Sequence, residues 1–259
     1  MTALSAMGIV VPVRDEESTL AASLQALMHA MRRPALAGVA MEVVVVLDGC
    51  VDNSLAIATA AARQMRSAGR GWEATVVGTD LGNVGRARHL GCCQVLERRK
   101  QSPGESHRHG IDGTWLSSTD ADSTVPPHWL VCQARQREQG IEAWAGTVAV
   151  ADWEGRPPAV SERFAAHYRD VTRGQGHVHG TSMGFSASAY LAAGGFPPLS
   201  TGEDHALWRR LGDVGAQRVH DLSCPVTTSA RRLGRAPDGF CATLNRFEDQ
   251  LTEEHGHVD

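Results

Sequence analysis

The stretch Val43-Val44-Val45-Val46-Leu47-Asp48-Gly49 decides the fold. Its five apolar residues, four of them β-branched, leave no polar face. Such a run fits a strand covered on both sides, as in a parallel sheet, and Asp48-Gly49 ends it with turn chemistry. Toward the start of the chain, Met7-Gly8-Ile9-Val10-Val11-Pro12-Val13 is a second short apolar run, closed by the charged Arg14-Asp15-Glu16-Glu17. Between the two, Leu20, Leu24, Leu27, Met28 and Met31 recur at helical spacing, with Ser18 placed as the cap and Pro34 as the stop. After Gly49 a helix is expected over 54–68, a strand over 74–78 and a helix over 84–99. Strand and helix in alternation predict an α/β fold with a mostly parallel, twisted sheet and right-handed crossovers.

The rest of the chain extends this pattern and then loosens it. Residues 100–113 are polar, with Pro, Gly and His, and read as a mobile surface loop. A strand is expected over 115–119, a helix over 127–139 after Pro126-Pro127, and a strand over 143–150. Further on, helices over 161–172 and 203–211 and strands over 182–187 and 217–220 are expected in an irregular second half. There is no internal repeat, and the 259 residues read as one domain.

Composition narrows the function. Lys+Arg total 25 against Asp+Glu 29, a net charge of −4, which argues against a dedicated nucleic-acid binder. At 42% hydrophobic and 21% charged the chain is globular in composition, not disordered. The six cysteines include no C-x-x-C pair, so reduced thiols are expected and a cysteine zinc site is not. Residues 1–7 hold no basic region leading into an apolar core, and no apolar run approaches the roughly 20 residues that span a bilayer. A cytoplasmic protein without a membrane segment is the expectation. The basic run Arg98–Lys100 reads as a solvated face.

In open α/β sheets ligands bind beyond the carboxyl ends of the strands. Four such ends carry acidic or turn-forming clusters: Arg14–Glu17, Asp48-Gly49, Asp80-Leu81-Gly82-Asn83 and Asp120-Ala121-Asp122. Acids converging in one cleft are costly unless a cation or ligand offsets them. Asp120 and Asp122, two residues apart on a turn, would both reach one hard divalent cation; an Asx-type turn before a helix is the plainer reading. Gly82-Asn83-Val84-Gly85 leads into a helix and reads as a turn that approaches a phosphate, or as a tight connection. It lacks the glycine pattern of a dinucleotide fingerprint. Glu203-Asp204 opens a helix, where the macrodipole favours acids and where a carboxylate would serve as general base. His177 and His179 alternate, as on one strand face, and suit a metal or a polar loop near an acceptor. Trp144, Trp153, Phe164 and Tyr168 would stack on a sugar or fill the core.

In order, these segments resemble the family-two glycosyltransferases of the GT-A fold. Pro12 to Glu17 resembles the opening P-x-x-N-E-E stretch, with Asp15 in place of Asn. Leu47 to Ser54 resembles the D-D-G-S-x-D-x-T turn, with Leu47 in place of the first Asp. Asn83 to His89 resembles a shortened N-x-G-x-A-x-A-R-N segment, Asp120-Ala121-Asp122 the D-x-D motif, Gly202-Glu203-Asp204 the acceptor-side E-D motif, and Thr228 to Arg235 the T-S-x-R-x-x-G-R tail. The match runs from about residue 8 to residue 235.

The resemblance implies a nucleotide-sugar-dependent enzyme with a nucleotide-binding half over about 8–125 and an acceptor-binding half over about 126–240. It implies that Pro12, Val13, Arg14 and Glu16 line the nucleoside pocket and that Asp48 hydrogen-bonds the base. Arg88 would sit near nucleotide or sugar. Asp120 and Asp122 would hold the ribose and a diphosphate bound through Mn²⁺ or Mg²⁺, with His220 or water as a third metal ligand. Asp204 would be the catalytic base, with Glu203 supporting it or the acceptor, and Arg231 or Arg232 would face the leaving diphosphate. The implied partners are a UDP- or GDP-linked hexose and a hydroxyl-bearing acceptor, with inversion at the transferred carbon; residues 100–113 and 173–179 would close over the donor. A homodimer is a further expectation. A sugar-nucleotidyltransferase and a non-catalytic nucleotide-sugar-binding module are the alternatives, and an NAD-dependent oxidoreductase is disfavoured by the missing fingerprint.

Overall fold

A computed structural model describes residues 2–69, 71–101, 107–153, 155–174, 176–232 and 239–256. Among them, one eight-stranded sheet runs in the order β3-β2-β1-β4-β7-β6-β8-β5. Strands β1 (Ala6–Val13), β2 (Ala40–Asp48), β3 (Trp72–Thr79) and β4 (Thr114–Ser118) are parallel neighbours. Beside β4, β7 (Met183–Ser186) runs antiparallel, followed by β6 (Ala143–Val150), β8 (Arg218–Thr228) and the two-residue β5 (Ser123–Thr124). The chain builds outward from β1 to β3 and then returns to β1's other side with β4. That reversal opens a crevice at the carboxyl ends of β1 and β4, where α/β sheets bind ligands.

The apolar runs behave as strands covered on both faces. In β2, Val43, Val45 and Leu47 face one layer and Val44 and Val46 the other, and all five are buried. The first layer comprises α1 (Leu20–Met31), α2 (Ser54–Ala68) and α5 (Trp129–Glu138). The second comprises α3 (Val84–Gln101), α7 (Ala187–Ala192) and α8 (Glu203–Asp213). A smaller cluster of Val148, Phe164, Ala230 and Leu244 joins α6 (Pro158–Gly174) to α9 (Phe240–Gly256), with Phe164 edge-on to Phe240 at 5.6 Å. Each fully buried Leu or Val contributes about 1.5–3 kcal/mol.

Several local expectations are corrected. Thr19, not Ser18, precedes α1, and its hydroxyl bonds to Glu16 instead of capping the helix. Within the expected loop 100–113, residues 107–112 form helix α4 (His107–Asp112), while 102–106 lie outside the described residues. Gly113 accepts from the N–H groups of Ser5 and Ala6 at the start of β1, so residues 107–113 lie at the amino ends of the strands, away from the carboxyl ends that the expected closure would cover. Arg98 and Arg99 are not merely solvated: both reach Glu42, which is fully buried in β2. The elements β5, α7 and α9 had no counterpart in the sequence reading, and β8 is much longer than the expected 217–220. No helix among the described residues is long and apolar enough to cross a membrane.

Candidate active site

A cleft of about 620 Å³ opens at the carboxyl ends of β1, β2 and β4. Its lining includes Pro12, Val13, Arg14, Glu16, Asp48, Arg88, Asp120, Asp122, Glu203, Asp204 and Arg231. Those eleven expected site residues come together from six separate stretches of chain. His220 and Arg232 do not join them. His220 Nδ1 donates to the His177 carbonyl at 2.9 Å and its ring lies against Trp208. Arg232 turns outward to Glu248 at 2.6 Å, while Leu233 to Arg235 of the tail motif lie outside the described residues.

Arg88 is the hub. It projects from the second turn of α3, only 3% exposed. Its Nη2 bonds Asp120 Oδ1 at 2.6 Å, its Nε bonds Glu203 Oε1 at 3.1 Å, and its Nη1 donates to the Gly180 carbonyl at 3.0 Å and to Ser118 Oγ. Burial works against the guanidinium charge, but Asp120 and Glu203 outweigh it and hold the proton more firmly than usual. One planar fork thus ties the D-x-D turn to the E-D helix. Gly180 completes the tie: its carbonyl takes Arg88 and its N–H donates to Asp204 Oδ2 at 2.8 Å. A Cβ at Gly180 would lie 2.5 Å from Arg88 Nη2, so this position has room for glycine only. The sequence reading did not single out Gly180, since an isolated glycine after two histidines carries no signal of its own.

The acids at the mouth differ in their freedom. Glu203 is buried, and burial pushes its carboxyl up against the pull of Arg88. Asp204 is half-buried and opens to the cleft, with Oδ1 on its own helix's His205 N–H at 2.7 Å. Arg231 reaches Glu16 Oε1 and Asp122 Oδ2, both at 2.9 Å. Its segment is fixed from behind by the buried Arg156, which donates to the carbonyls of Ala230 and Arg231 and to Asn245 and Glu248.

The donor set fits a hard divalent cation. Burial and the neighbouring Asp120 push the Asp122 carboxyl up to about 6, with Arg231 pulling the other way. Asp120 Oδ2 has no hydrogen-bond partner among the described residues. Six carboxylates line the cleft against three arginines, an excess that a cation would offset.

Two of these positions also hold the backbone before α3. Asp48 accepts from the N–H groups of Leu81, Gly82 and Asn83 at 2.5, 3.1 and 3.1 Å, so it holds the turn before α3. Those N–H groups are therefore not free to cradle a phosphate. Gly85 serves packing instead: its N–H bonds the Leu199 carbonyl, and a Cβ there would lie 2.2 Å from the Pro197 carbonyl oxygen.

One wall of the cleft is aromatic. Tyr168 stacks on His177 with centroids 3.5 Å apart, and its hydroxyl meets His179 Nε2 at 3.1 Å while accepting from the Val148 N–H. His177 Nε2 donates to the Tyr168 carbonyl at 2.7 Å. The two histidines are thus engaged with Tyr168 instead of facing a common ion. Burial, His177 and His205 push His179 down to about 3, so it is neutral. Phe164, Tyr168, His179 and Phe240 line the cleft, whereas Trp144 is core, with its Nε1 on Asp221.

No protein-family description matches the chain, and no curated protein matches it. Solved structures do. Residues 1–349 of TarS from S. aureus superpose with a TM-score of 0.59 at 13% identity, covering 98% of this chain and 72% of that one. The mannosyltransferase PcManGT from Pyrobaculum calidifontis, in complex with GDP-Man and Mn²⁺, gives 0.60 at 13% identity, covering 100% and 78%. Glucosyl-3-phosphoglycerate synthase from Mycobacterium tuberculosis, in complex with Mn²⁺, UDP and phosphoglyceric acid, gives 0.52 at 16% identity, covering 96% and 76%. At these identities the likeness establishes the fold: the chain is built as the GT-A glycosyltransferases are.

Proposed function

We propose that this chain is a metal-dependent glycosyltransferase that moves a hexose from a nucleoside-diphosphate sugar to an acceptor hydroxyl with inversion. The observation that carries the reading is the buried Arg88 fork, which joins Asp120 of the D-x-D turn to Glu203 beside Asp204 in one cleft. The fold shared with enzymes solved with GDP-Man, UDP and Mn²⁺ supports UDP or GDP as the nucleotide.

The nucleoside lies in the half formed by about 8–125, against Pro12, Val13, Arg14 and Glu16, on a floor shaped by Asp48. The acceptor lies in the half formed by about 126–240, against the Tyr168–His179 wall. Asp120 and Asp122 would hold Mn²⁺ or Mg²⁺, which would supply positive charge at the donor diphosphate. Arg231 faces the same diphosphate and stabilises the charge that builds as the sugar–phosphate bond breaks. Asp204 accepts the proton of the acceptor hydroxyl as that oxygen attacks the anomeric carbon. Glu203 supports Asp204 by fixing Arg88 and the start of α8. The protein is expected in the cytoplasm, and a homodimer is part of the same reading.

The test has three arms. A thermal-shift panel of UDP-, GDP-, TDP- and CMP-sugars, each with and without Mn²⁺, should give a metal-dependent rise with one nucleotide. Asp204→Asn should keep that rise and lose transfer by about 10²–10⁴-fold. Chelation with EDTA should stop transfer until Mn²⁺ is returned. Full transfer by Asp204→Asn would remove it from the base role, and pyrophosphate release from a nucleoside triphosphate would move the assignment to nucleotidyl transfer.

A further inference from the structure

A second set of metal-ligating side chains lies outside the cleft. His128 immediately precedes α5 and Cys132 follows at i+4, so both point from one helix face. The third member comes from β8. Along the β6–β8 pairing the register jumps from Gly146 opposite Asp221 to Val148 opposite Val226, so β8 bulges between those pairs. Bulges re-aim side chains. This one leaves Leu222 exposed and buries Cys224 completely, in the layer that includes α5. One ligand atom each from His128, Cys132 and Cys224 lies within 4.8 Å of the other two.

We propose that His128, Cys132 and Cys224 form a binding site for a soft divalent cation, zinc first of all, that clips the start of α5 to the bulge of β8. Two sulfurs and an imidazole nitrogen are the donor set zinc favours, with a fourth position left to solvent. Zinc bonds of about 2.3 Å to sulfur and about 2.0–2.1 Å to nitrogen put tetrahedral ligand atoms roughly 3.4–3.8 Å apart, so small rotamer changes close the present spacing. Exposure is graded from His128 outside through half-buried Cys132 to buried Cys224, which gives the ion a way in. No hydrogen bond from elsewhere, among the described residues, occupies the His128 ring nitrogens or the two sulfurs. Close to Cys224 on the bulge, Asp221 is held by Trp144 Nε1 at 3.1 Å and Ser223 Oγ at 2.6 Å, which fixes the backbone that carries Cys224. Mn²⁺ and Mg²⁺ prefer oxygen, so this site and the cleft take different ions. Sequence spacing alone argued against a cysteine zinc site because the third ligand arrives on a distant strand.

The untagged full chain, reduced and stripped with EDTA, is titrated with Co²⁺ while near-ultraviolet absorption is followed. The expected result is one equivalent per chain that develops a thiolate-to-cobalt charge-transfer band, which Zn²⁺ displaces and Mn²⁺ does not; cobalt held by the cleft carboxylates adds no such band. His128→Gln, at an exposed position, should weaken binding by about tenfold or more, and Cys132→Ser should remove the band. Asp122→Asn, in the cleft, should leave it intact, so the result does not depend on the transfer reaction. Cobalt binding without a thiolate band overturns the proposal. So does a band that survives both His128→Gln and Cys132→Ser, or one that disappears with Asp122→Asn. A Cys132–Cys224 disulfide, seen as two thiols lost and recovered on reduction with no cobalt band, overturns it as well.

Discussion

Helix α3 carries arginine at both ends of the sheet. Near its start Arg88 meets Asp120 and Glu203; near its end Arg98 and Arg99 meet Glu42. Both sets bury a carboxylate, at 5% exposure for Glu203 and 0% for Glu42. At the amino end Arg98 and Arg99 share Glu42, and Arg98, whose side chain is 40% exposed, also reaches Glu73 at 3.5 Å, so two arginines balance two acids. At the carboxyl end one arginine serves two acids, with more acids around a cavity. A buried ion pair says little about function by itself. What separates the fold-holding cluster from the candidate active site is that its charges balance, whereas the other end keeps an excess of acids beside a cavity.

The comparison breaks or holds on variants of the two ends. Arg88→Met leaves Asp120 and Glu203 without their partner and should cost about 3–5 kcal/mol in urea melts. Arg88→Lys keeps a charge but not the fork, and should fold yet transfer sugar far more slowly in an initial-rate assay; undiminished transfer would make the two ends equivalent.

Acid tests the aromatic wall next. His179 is held near 3 in the folded chain against 6.5 in the unfolded one, so the unfolded state binds the proton more readily. Its contribution is complete above 6.5 and is lost as pH falls, on the order of 1–2 kcal/mol by pH 5. His179→Gln should flatten that part of the stability profile.

Glu42 has the opposite slope. Burial pushes its carboxyl up from 4.5 despite Arg98 and Arg99, so the folded chain binds the proton more tightly. Its contribution declines as pH rises through and above 4.5. Glu42→Gln should remove that decline while the transfer rate per folded molecule stays unchanged. Smallest is Arg98→Gln, whose half-exposed pairing is worth about 0.2–1 kcal/mol and should leave transfer untouched.

The contrast also explains what could be read in advance. The acids at strand ends were legible because a parallel sheet gathers those ends wherever the apolar runs stop. Arg88 was legible as part of a motif, but not as a buried fork, since nothing local distinguishes it from the exposed Arg86. Gly180 was invisible because its role lies in its two backbone groups. Asp48 was legible as a site residue from its place at a strand end, but that its carboxylate also accepts from three N–H groups is arranged only by the fold. Helix α9 was missed because its apolar residues, Phe240, Leu244 and Phe247, are sparse among charges and meaningful only against Phe164 and the rest of α6.

By itself the sequence determined the alternation of buried strands and helices and therefore the end of the sheet where chemistry gathers. Hydrophobic periodicity is a local property, and runs such as 43–47 leave few other ways to cover both faces. Only the tertiary structure decided which acids stay free, which are tied to Arg88 or Arg231, and that His128, Cys132 and Cys224 meet at all. Those outcomes depend on crossovers, a strand bulge and buried hydrogen bonds between residues far apart in the chain, which spacing along one segment does not encode.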